Sequence, residues 1–247
     1  MPLTALEEID ENESIFDAAA FARQALASRE ALAAVIDHTL LKAEATRDQV
    51  LKLCAEAAEY RFACAMVNPA WVPTACAALA GTGIAVGAVV GFPLGASLTS
   101  TKRKEAAALV RLGARELDMV LNVGLLKSGE NLLMQNDIRG VAEVAHEAGA
   151  ILKVILETSL LSLEEKLRAS ELACTAGADF LKTSTGFSTG GATAADVALL
   201  RGVAGGRCGV KASGGVRTLA DARAMLEAGA NRIGASASVA IVRALGA

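Results

Sequence analysis

The chain has 247 residues, of which 53% are hydrophobic and 21% are charged, and its formal net charge is −3. This length and apolar fraction suit one large core, and an α/β barrel of this size is commonly a single domain. The small net charge and the lack of a dense Lys/Arg cluster argue against a nucleic-acid or anionic-membrane partner. No signal-peptide pattern and no membrane-spanning apolar run is present, so we expect a cytoplasmic protein.

The residues that commonly bind metals are few and scattered. The five cysteines are odd in number and lack C-x-x-C spacing, so we expect reduced thiols that pack as small hydrophobes. The two histidines, His38 and His146, lie far apart in the sequence and belong to no ligand motif. We therefore expect no metal and no cofactor.

The first predicted element is an amphipathic helix over residues 14–29, which follows an acidic stretch at 1–13 to which we assign no function. We expect this helix to cover the N-terminal face of the following domain. Residues 1–30 are therefore predicted to be an extension with a capping helix, and residues 31–247 a single domain.

Eight short apolar segments then alternate with stretches of helical spacing. Gly-Ala pairs recur at the predicted helix ends, and a hydroxyl residue precedes an acid or amide by three positions at several helix starts, as in a capping box. Strand followed by helix, eight times, predicts a (β/α)₈ TIM barrel with an additional N-terminal helix. The predicted strands are 34–37, 62–67, 84–90, 116–121, 151–156, 179–182, 208–212 and 231–234.

Four charged residues lie within or at the end of these apolar strands: Asp118, Lys153, Lys182 and Lys211. A structural ion pair between Asp118 and Lys153 is one interpretation. If all four side chains point inward, however, three lysines face one aspartate, and at least one lysine is expected to lose its proton near neutral pH. A neutral buried amine is a nucleophile that can form an imine with a carbonyl, and Lys211 would depress the pKa of Lys182.

Glycine-rich loops follow the last two predicted strands. Residues 213–217 (S-G-G-V-R) precede the helix that Thr218 opens, and residues 234–236 (G-A-S) precede the final helix. Backbone N–H groups at such loops and helix starts bind anions, and the loops after strands seven and eight are a recurrent phosphate site of this fold. Two ordinary glycine turns are the alternative interpretation.

The chain resembles the deoxyribose-phosphate aldolase family from about residue 37 to its end. The shared motifs are D-H-T-L-L-K at 37–42, V-N-P at 67–69, G-F-P-L-G at 91–95, E-L-D-M-V at 116–120, L-K-V-I-L-E-T at 152–158, F-L-K-T-S-T-G-F at 180–187 and G-G-V-R at 214–217. The resemblance implies reversible cleavage of 2-deoxy-D-ribose 5-phosphate into D-glyceraldehyde 3-phosphate and acetaldehyde, without metal. The substrates would thus be a phosphosugar and small aldehydes.

The resemblance also implies roles for individual residues. Lys182 is expected to form the Schiff base, Asp118 to transfer protons, Lys211 to act as the second active-site lysine, and Lys153 to accompany the aspartate. Substrate and phosphate binding is expected at Thr185, Gly186, Gly214, Gly215, Val216, Arg217, Gly234 and Ser236. Ala237 stands where many members have a second serine, so phosphate binding is expected to rely on Gly234 and Ser236.

Two other functions fit parts of the pattern. A different Schiff-base aldolase or transaldolase would share the imine, and a non-catalytic phosphate-binding barrel would keep the glycine loops without needing Lys182. Retention of four charged strand residues argues against the second, because an idle barrel would be more stable with apolar residues there. Dimers are frequent among the proteins that this chain resembles, which makes a homodimer the expected assembly.

Overall fold

The computed structural model describes residues 16–246, and its centre is a closed barrel of eight parallel strands. Each strand pairs with the next one in the sequence, and the last closes onto the first through the pair Asp37 and Gly234. The strands are β1 (Ile36–Leu40), β2 (Cys64–Val67), β3 (Ala85–Val90), β4 (Glu116–Val120), β5 (Ile151–Ile155), β6 (Phe180–Lys182), β7 (Gly209–Ser213) and β8 (Arg232–Ala235).

Helices surround the barrel on its outer side. They are α1 (Ala18–Ala25), α2 (Arg29–Ala33), α3 (Arg47–Tyr60), α4 (Val72–Ala78), α5 (Thr99–Arg111), α6 (Val123–Lys127), α7 (Asn131–Glu147), α8 (Leu163–Thr175), α9 (Ala194–Ala204), α10 (Leu219–Glu227) and α11 (Ser238–Arg243). Within the described residues, none of these helices has the length and hydrophobicity required to cross a membrane.

The predicted (β/α)₈ barrel is confirmed, and each predicted strand corresponds to an observed one. Local sequence explains much of this agreement: Thr46, Ser162 and Thr218 each cap a helix and complete a capping box with the side chain three residues later. Strand bounds shift by up to three residues, as at β1, which was predicted at 34–37 and extends to Leu40.

The predicted helix at 14–29 is two helices rather than one, and residues 14 and 15 lie outside the described residues. The hydroxyl of Ser28 accepts a hydrogen bond from the Ala31 amide and starts α2, so the chain turns after α1. Helix α1 packs mainly against α10, and α2 packs against α11. The division into an extension at 1–30 and a barrel domain at 31–247 stays a prediction.

Successive residues of each strand point alternately outward to the helices and inward to the centre of the barrel. Outward-facing strand residues such as Leu117, Leu152 and Leu181 are buried in one apolar core shared with the helices. Inside the barrel, the side formed by β2 and β3 is apolar, with Cys64, Met66 and Val89 packed together. The charged inward residues lie on β4 to β8 and on β1, and this part of the barrel holds the candidate site.

Candidate active site

The four charged strand residues predicted from the sequence meet inside the barrel. The ammonium of Lys182 donates to Oδ2 of Asp118 at 2.8 Å, and that of Lys211 donates to the same oxygen at 2.6 Å. Lys153 donates to the other oxygen, Oδ1, at 2.9 Å. All four side chains are buried. Their strand positions dictate this meeting, because Asp118 pairs with Lys153 and Lys182 with Lys211 across adjacent strands.

Three further charged groups, which the sequence analysis did not place here, complete the network. Oδ2 of Asp37 accepts a hydrogen bond from Lys211 at 2.5 Å, and Oδ1 accepts one from Arg232 at 2.8 Å. The carboxylate of Glu116 accepts a short hydrogen bond from Lys153 and lies 3.5 Å from Arg232. The three lysines do face Asp118 as expected, but the expected group is incomplete: with Asp37, Glu116 and Arg232 included, four basic side chains face three acidic ones.

The network has one more basic group than acidic groups, and Lys182 is the basic group whose pKa is lowered. Burial lowers the pKa of Lys182 to about 8, and the positive charges of Lys211 and Lys153 act in the same direction against the attraction of Asp118. Burial alone would lower the pKa of Lys153, yet Asp118, Glu116 and Asp37 raise it well above its usual value. Lys153 is thus a permanent cation, and Lys182 is the amine that becomes neutral near physiological pH.

The two aspartates of the network, Asp118 and Asp37, stay ionised. Although burial by itself would raise its pKa, Asp118 has a pKa well below the usual range because Lys153, Lys182 and Lys211 surround it. The pKa of Asp37 is lowered to about 2, chiefly by Lys211, Lys153 and Arg232 acting against burial.

Space for Lys211 depends on a missing side chain. A Cβ added at Gly234 would lie 2.9 Å from Cε of Lys211 and 2.9 Å from Cβ of Ser213. Contacts this close force neighbouring atoms to move. Gly234 therefore belongs to the site as the residue that admits the lysine, in addition to its predicted place in the phosphate loop.

A cavity of about 440 Å³ opens above Lys182 at the C-terminal end of the strands. Among the described residues, its lining includes three basic side chains, Lys42, Lys182 and Arg217, and no acidic one. Lys42 was recognised in the sequence only as part of a motif, and its position beside the cavity is new. All eight residues predicted to bind substrate or phosphate line this cavity: Thr185, Gly186, Gly214, Gly215, Val216, Arg217, Gly234 and Ser236.

Backbone N–H groups are available on one side of this cavity. Among the described residues, none accepts a hydrogen bond from the amide of Gly215, Val216 or Ser236. Gly214 and Gly215 have φ of 86° and 82°, a conformation that glycine adopts without a steric penalty. The next amides, of Arg217 and Thr218, are bound by Asp221 at the start of α10. This arrangement suits a phosphate or another small anion.

Thr185 is placed beside the cavity, but its donors point elsewhere. Both its amide and its hydroxyl donate to Oε2 of Glu157, and its Oγ1 in turn accepts from the amide of Phe187 at 3.0 Å. Thr185 therefore shapes the loop after β6, and its own N–H and O–H groups are not free to bind an anion.

One cluster within the described residues has the composition of a metal site. Asp37, Cys64 and Glu116 offer ligand atoms within 4.8 Å of one another. The two carboxylates already bind Lys153, Lys211 and Arg232, and burial raises the pKa of the Cys64 thiol well above its usual value. These groups fit an ion-pair network better than a cation site.

A buried lysine that loses its proton near neutrality, a carboxylate that bridges it to a second lysine, and an anion-binding cavity above them define a class of protein. The class is the lysine-dependent aldolases built on a parallel barrel. A comparison with protein families agrees with this class: the model for the DeoC/LacD family aldolases matches residues 31–244. The chain belongs to this family.

Individual relatives are named as deoxyribose-phosphate aldolases. A curated relative from Bacillus cereus (strain AH820), named deoxyribose-phosphate aldolase, is 57% identical over 211 residues, which cover 85% of this chain and 94% of that protein. A putative deoxyribose-phosphate aldolase from Coccidioides immitis is 44% identical with a TM-score of 0.84, covering 87% of this chain and 86% of that one. The enzyme from Aeropyrum pernix, described as having a unique tetrameric structure, is 35% identical with a TM-score of 0.85, covering 92% and 96%.

Proposed function

We propose that this aldolase cleaves 2-deoxy-D-ribose 5-phosphate reversibly into D-glyceraldehyde 3-phosphate and acetaldehyde through a Schiff base on Lys182. The observation that carries the proposal is the amine of Lys182, which has a pKa of about 8 and lies at the floor of the anion-binding cavity. The names of the relatives support the choice of substrate. No metal is needed for this chemistry, since the iminium itself withdraws electrons.

The reaction begins when the neutral amine of Lys182 attacks the C1 aldehyde of the open-chain sugar. The carbinolamine loses water and becomes an iminium. A base removes the proton from the C3 hydroxyl, the C2–C3 bond breaks, and its electron pair moves into an enamine while C3 leaves as the aldehyde of glyceraldehyde 3-phosphate. Protonation of the enamine at C2 and addition of water then release acetaldehyde and restore the amine.

Asp118 and Lys211 are the groups we assign to these proton transfers. Asp118 bridges the nucleophile and the second lysine through one oxygen, so a proton can move between Lys182, Asp118 and Lys211 over hydrogen bonds of 2.8 and 2.6 Å. Lys153 holds the opposite oxygen of Asp118 at 2.9 Å and fixes the orientation of the carboxylate.

The phosphate of the substrate is assigned to the other side of the cavity. The free amides of Gly215, Val216 and Ser236 and the positive charge of Arg217 support an anion there. Lys42 adds a second positive charge to the lining. With the phosphate held at this place, C1 of the sugar can reach Lys182 at the cavity floor.

A substrate panel tests the proposal against the alternatives. We expect the wild-type protein to cleave deoxyribose 5-phosphate and, in reverse, to accept acetaldehyde but not dihydroxyacetone phosphate as the donor. Acceptance of dihydroxyacetone phosphate would indicate another Schiff-base aldolase. Binding of inorganic phosphate with no turnover of any substrate would indicate a phosphate-binding barrel.

The assembly and the location are also proposals. We propose self-association, with a homodimer as the expected form; a structural relative that is described as tetrameric supports association but not this number of copies. We propose a cytoplasmic location because all five cysteines are free thiols, as is usual in a reducing compartment. Light scattering after gel filtration, and fractionation of the cells that produce the protein, test the two proposals.

A further inference from the structure

Glu157 is a buried carboxylate without a counter-ion, and the mechanism above does not use it. It follows β5, is 3% exposed, and no described lysine or arginine lies within ion-pair distance of it. Its backbone has φ 56° and ψ 61°, the left-handed region that an L side chain disfavours. A buried polar side chain on a disfavoured backbone persists where the surrounding structure uses it.

The contacts of Glu157 are concentrated on the loop that follows Lys182. The amide of Thr185 donates to Oε2 at 3.2 Å, and the hydroxyl of Thr185 donates to the same oxygen in a shorter bond. The second oxygen, Oε1, has no hydrogen-bond partner among the described residues. Glu157 therefore commits one oxygen entirely to Thr185.

The chain of contacts continues from Thr185 to the wall of the cavity. Oγ1 of Thr185 accepts from the amide of Phe187 at 3.0 Å, which closes a turn with Gly186 at its tip. The ring of Phe187 packs edge-on against Phe92 at 5.1 Å. Gly186 has φ 83°, and its amide has no partner among the described residues. The turn thus presents a free N–H group beside the cavity.

We propose that Glu157 is a positioning residue that holds the 185–187 turn in the shape that binds the substrate's phosphate. This inference rests on the proposed function, because it assigns the anion in the cavity to the phosphate group. Glu157 does not line the cavity that holds Lys182. It accepts hydrogen bonds from both donors of Thr185, which leaves the amide of Gly186 as the donor of this turn without a partner among the described residues.

Substitution of Glu157 should separate phosphate binding from imine chemistry. In Glu157→Ala the turn loses both hydrogen bonds, and we expect the KM for deoxyribose 5-phosphate to rise by about tenfold, because a misplaced positioning group weakens substrate orientation. Borohydride trapping of acetaldehyde on Lys182 should proceed at the wild-type rate, since acetaldehyde has no phosphate. Titration with inorganic phosphate should show a similar tenfold loss of affinity.

Three further variants test whether the effect of Glu157→Ala comes from its hydrogen bonds to Thr185. Glu157→Gln retains an oxygen that can accept both donors of Thr185, so it should restore the KM to within about threefold of wild type. Glu164→Ala removes a carboxylate with an 88% exposed side chain at the start of α8 and should change neither KM nor phosphate affinity. If Glu157→Ala does not fold, Thr185→Val removes the hydroxyl that donates to Glu157 and accepts from the Phe187 amide, and it should likewise raise the KM while acetaldehyde trapping proceeds at the wild-type rate.

A failure of the positioning role of Glu157 can be distinguished from a failure of the proposed aldolase function. A wild-type enzyme that cleaves the substrate, with an Ala variant whose KM and phosphate affinity are unchanged, would overturn the positioning role and leave the function intact. Equal losses in acetaldehyde trapping and in KM would also overturn it, because they indicate general damage to the fold. If the wild type cleaves nothing, the phosphate titration alone decides: weaker binding in the Ala variant supports the role, and equal binding refutes it.

Discussion

Lys182 and Lys211 donate hydrogen bonds to the same carboxylate oxygen, Oδ2 of Asp118, at 2.8 and 2.6 Å. Two ammonium groups that share one oxygen repel each other, and this repulsion adds to burial in lowering the pKa of Lys182. Lys211 also binds Asp37, whereas Lys182 binds Asp118 alone. This asymmetry selects Lys182 as the nucleophile, and the following predictions depend on it.

Removal of the positive charge of Lys211 should raise the pKa of Lys182. In Lys211→Leu the repulsion from Lys211 is lost and Lys182 no longer shares Oδ2 of Asp118 with a second lysine, so the neutral fraction of Lys182 appears at higher pH. We expect the rate of imine trapping to rise with pH through about 8 in the wild type, and the midpoint of this rise to move upward by about one pH unit in the Leu variant. Lys211→Arg keeps the charge and should retain the wild-type midpoint. An unmoved midpoint in the Leu variant would remove Lys211 from this role.

Replacement of Asp118 should uncouple imine formation from turnover. Asp118→Asn removes the charge that favours the Lys182 ammonium, so the pKa of Lys182 should fall and trapping at pH 7 should not slow. The proton transfers lose their bridging carboxylate, and kcat for cleavage should drop by about 10²-fold to 10⁴-fold. Parallel stopped-flow trapping and steady-state assays check this result. A parallel loss of trapping and cleavage would contradict it.

A methyl group at Gly234 should displace the side chain of Lys211. The added Cβ of Gly234→Ala would approach Cε of Lys211 to 2.9 Å, so we expect a loss of kcat and about 1–3 kcal/mol of destabilisation. Gly202→Ala is the matched control, because nothing lies within 4 Å of its Cβ and the helix α9 should gain up to about 1 kcal/mol. Urea unfolding and steady-state kinetics measure both variants. Wild-type kinetics in Gly234→Ala would show that the lysine has spare room.

The ion-pair network should make stability fall in acid. Asp37 has a folded-state pKa of about 2 against an ordinary value of 3.8, so the folded state binds protons less readily than the unfolded chain. Its contribution is fully present above about pH 4 and is lost as the pH falls toward 2. The linkage amounts to about 2 kcal/mol.

Chemical unfolding measured between pH 5 and pH 2 checks this dependence. The slope of unfolding free energy against pH should be shallower in Asp37→Asn, whereas Asp48→Asn changes an exposed carboxylate on α3 and should keep the wild-type slope. Identical slopes in the two variants would mean that Asp37 does not carry the effect.

The sequence was sufficient for the barrel because its signals repeat. Apolar strands and capping motifs recur in each unit, so small errors at one strand did not disturb the topology. The N-terminal helix had no such repetition, and Ser28 was not recognised as a second N-cap. An amphipathic pattern continued across Leu26 to Ser28 even though the backbone turns there.

Part of the site was predicted because a charged residue within an apolar strand is unusual. Lys182, Lys211, Lys153 and Asp118 are conspicuous as charges within apolar strands. Glu116 and Asp37 begin or lie near the start of their strands, where a charge is ordinary, and Arg232 is the first residue of β8. The available signal was spacing by two: Glu116 faces the same way as Asp118, so both point into the barrel.

The role of Glu157 could not be predicted from sequence. Its partner Thr185 is distant along the chain, and the bond depends on a left-handed backbone at a residue that is not glycine. Local propensity disfavours this conformation, and only the surrounding loops impose it.

The most direct test of Lys182 as the imine-forming residue is borohydride trapping with acetaldehyde followed by peptide mass spectrometry. Reduction converts an imine into a stable ethyl-lysine at the residue where it formed. We expect an ethyl adduct on Lys182 and no adduct in Lys182→Met. An adduct on Lys211 or Lys153, or full cleavage activity in Lys182→Met, would contradict the assignment of the nucleophile.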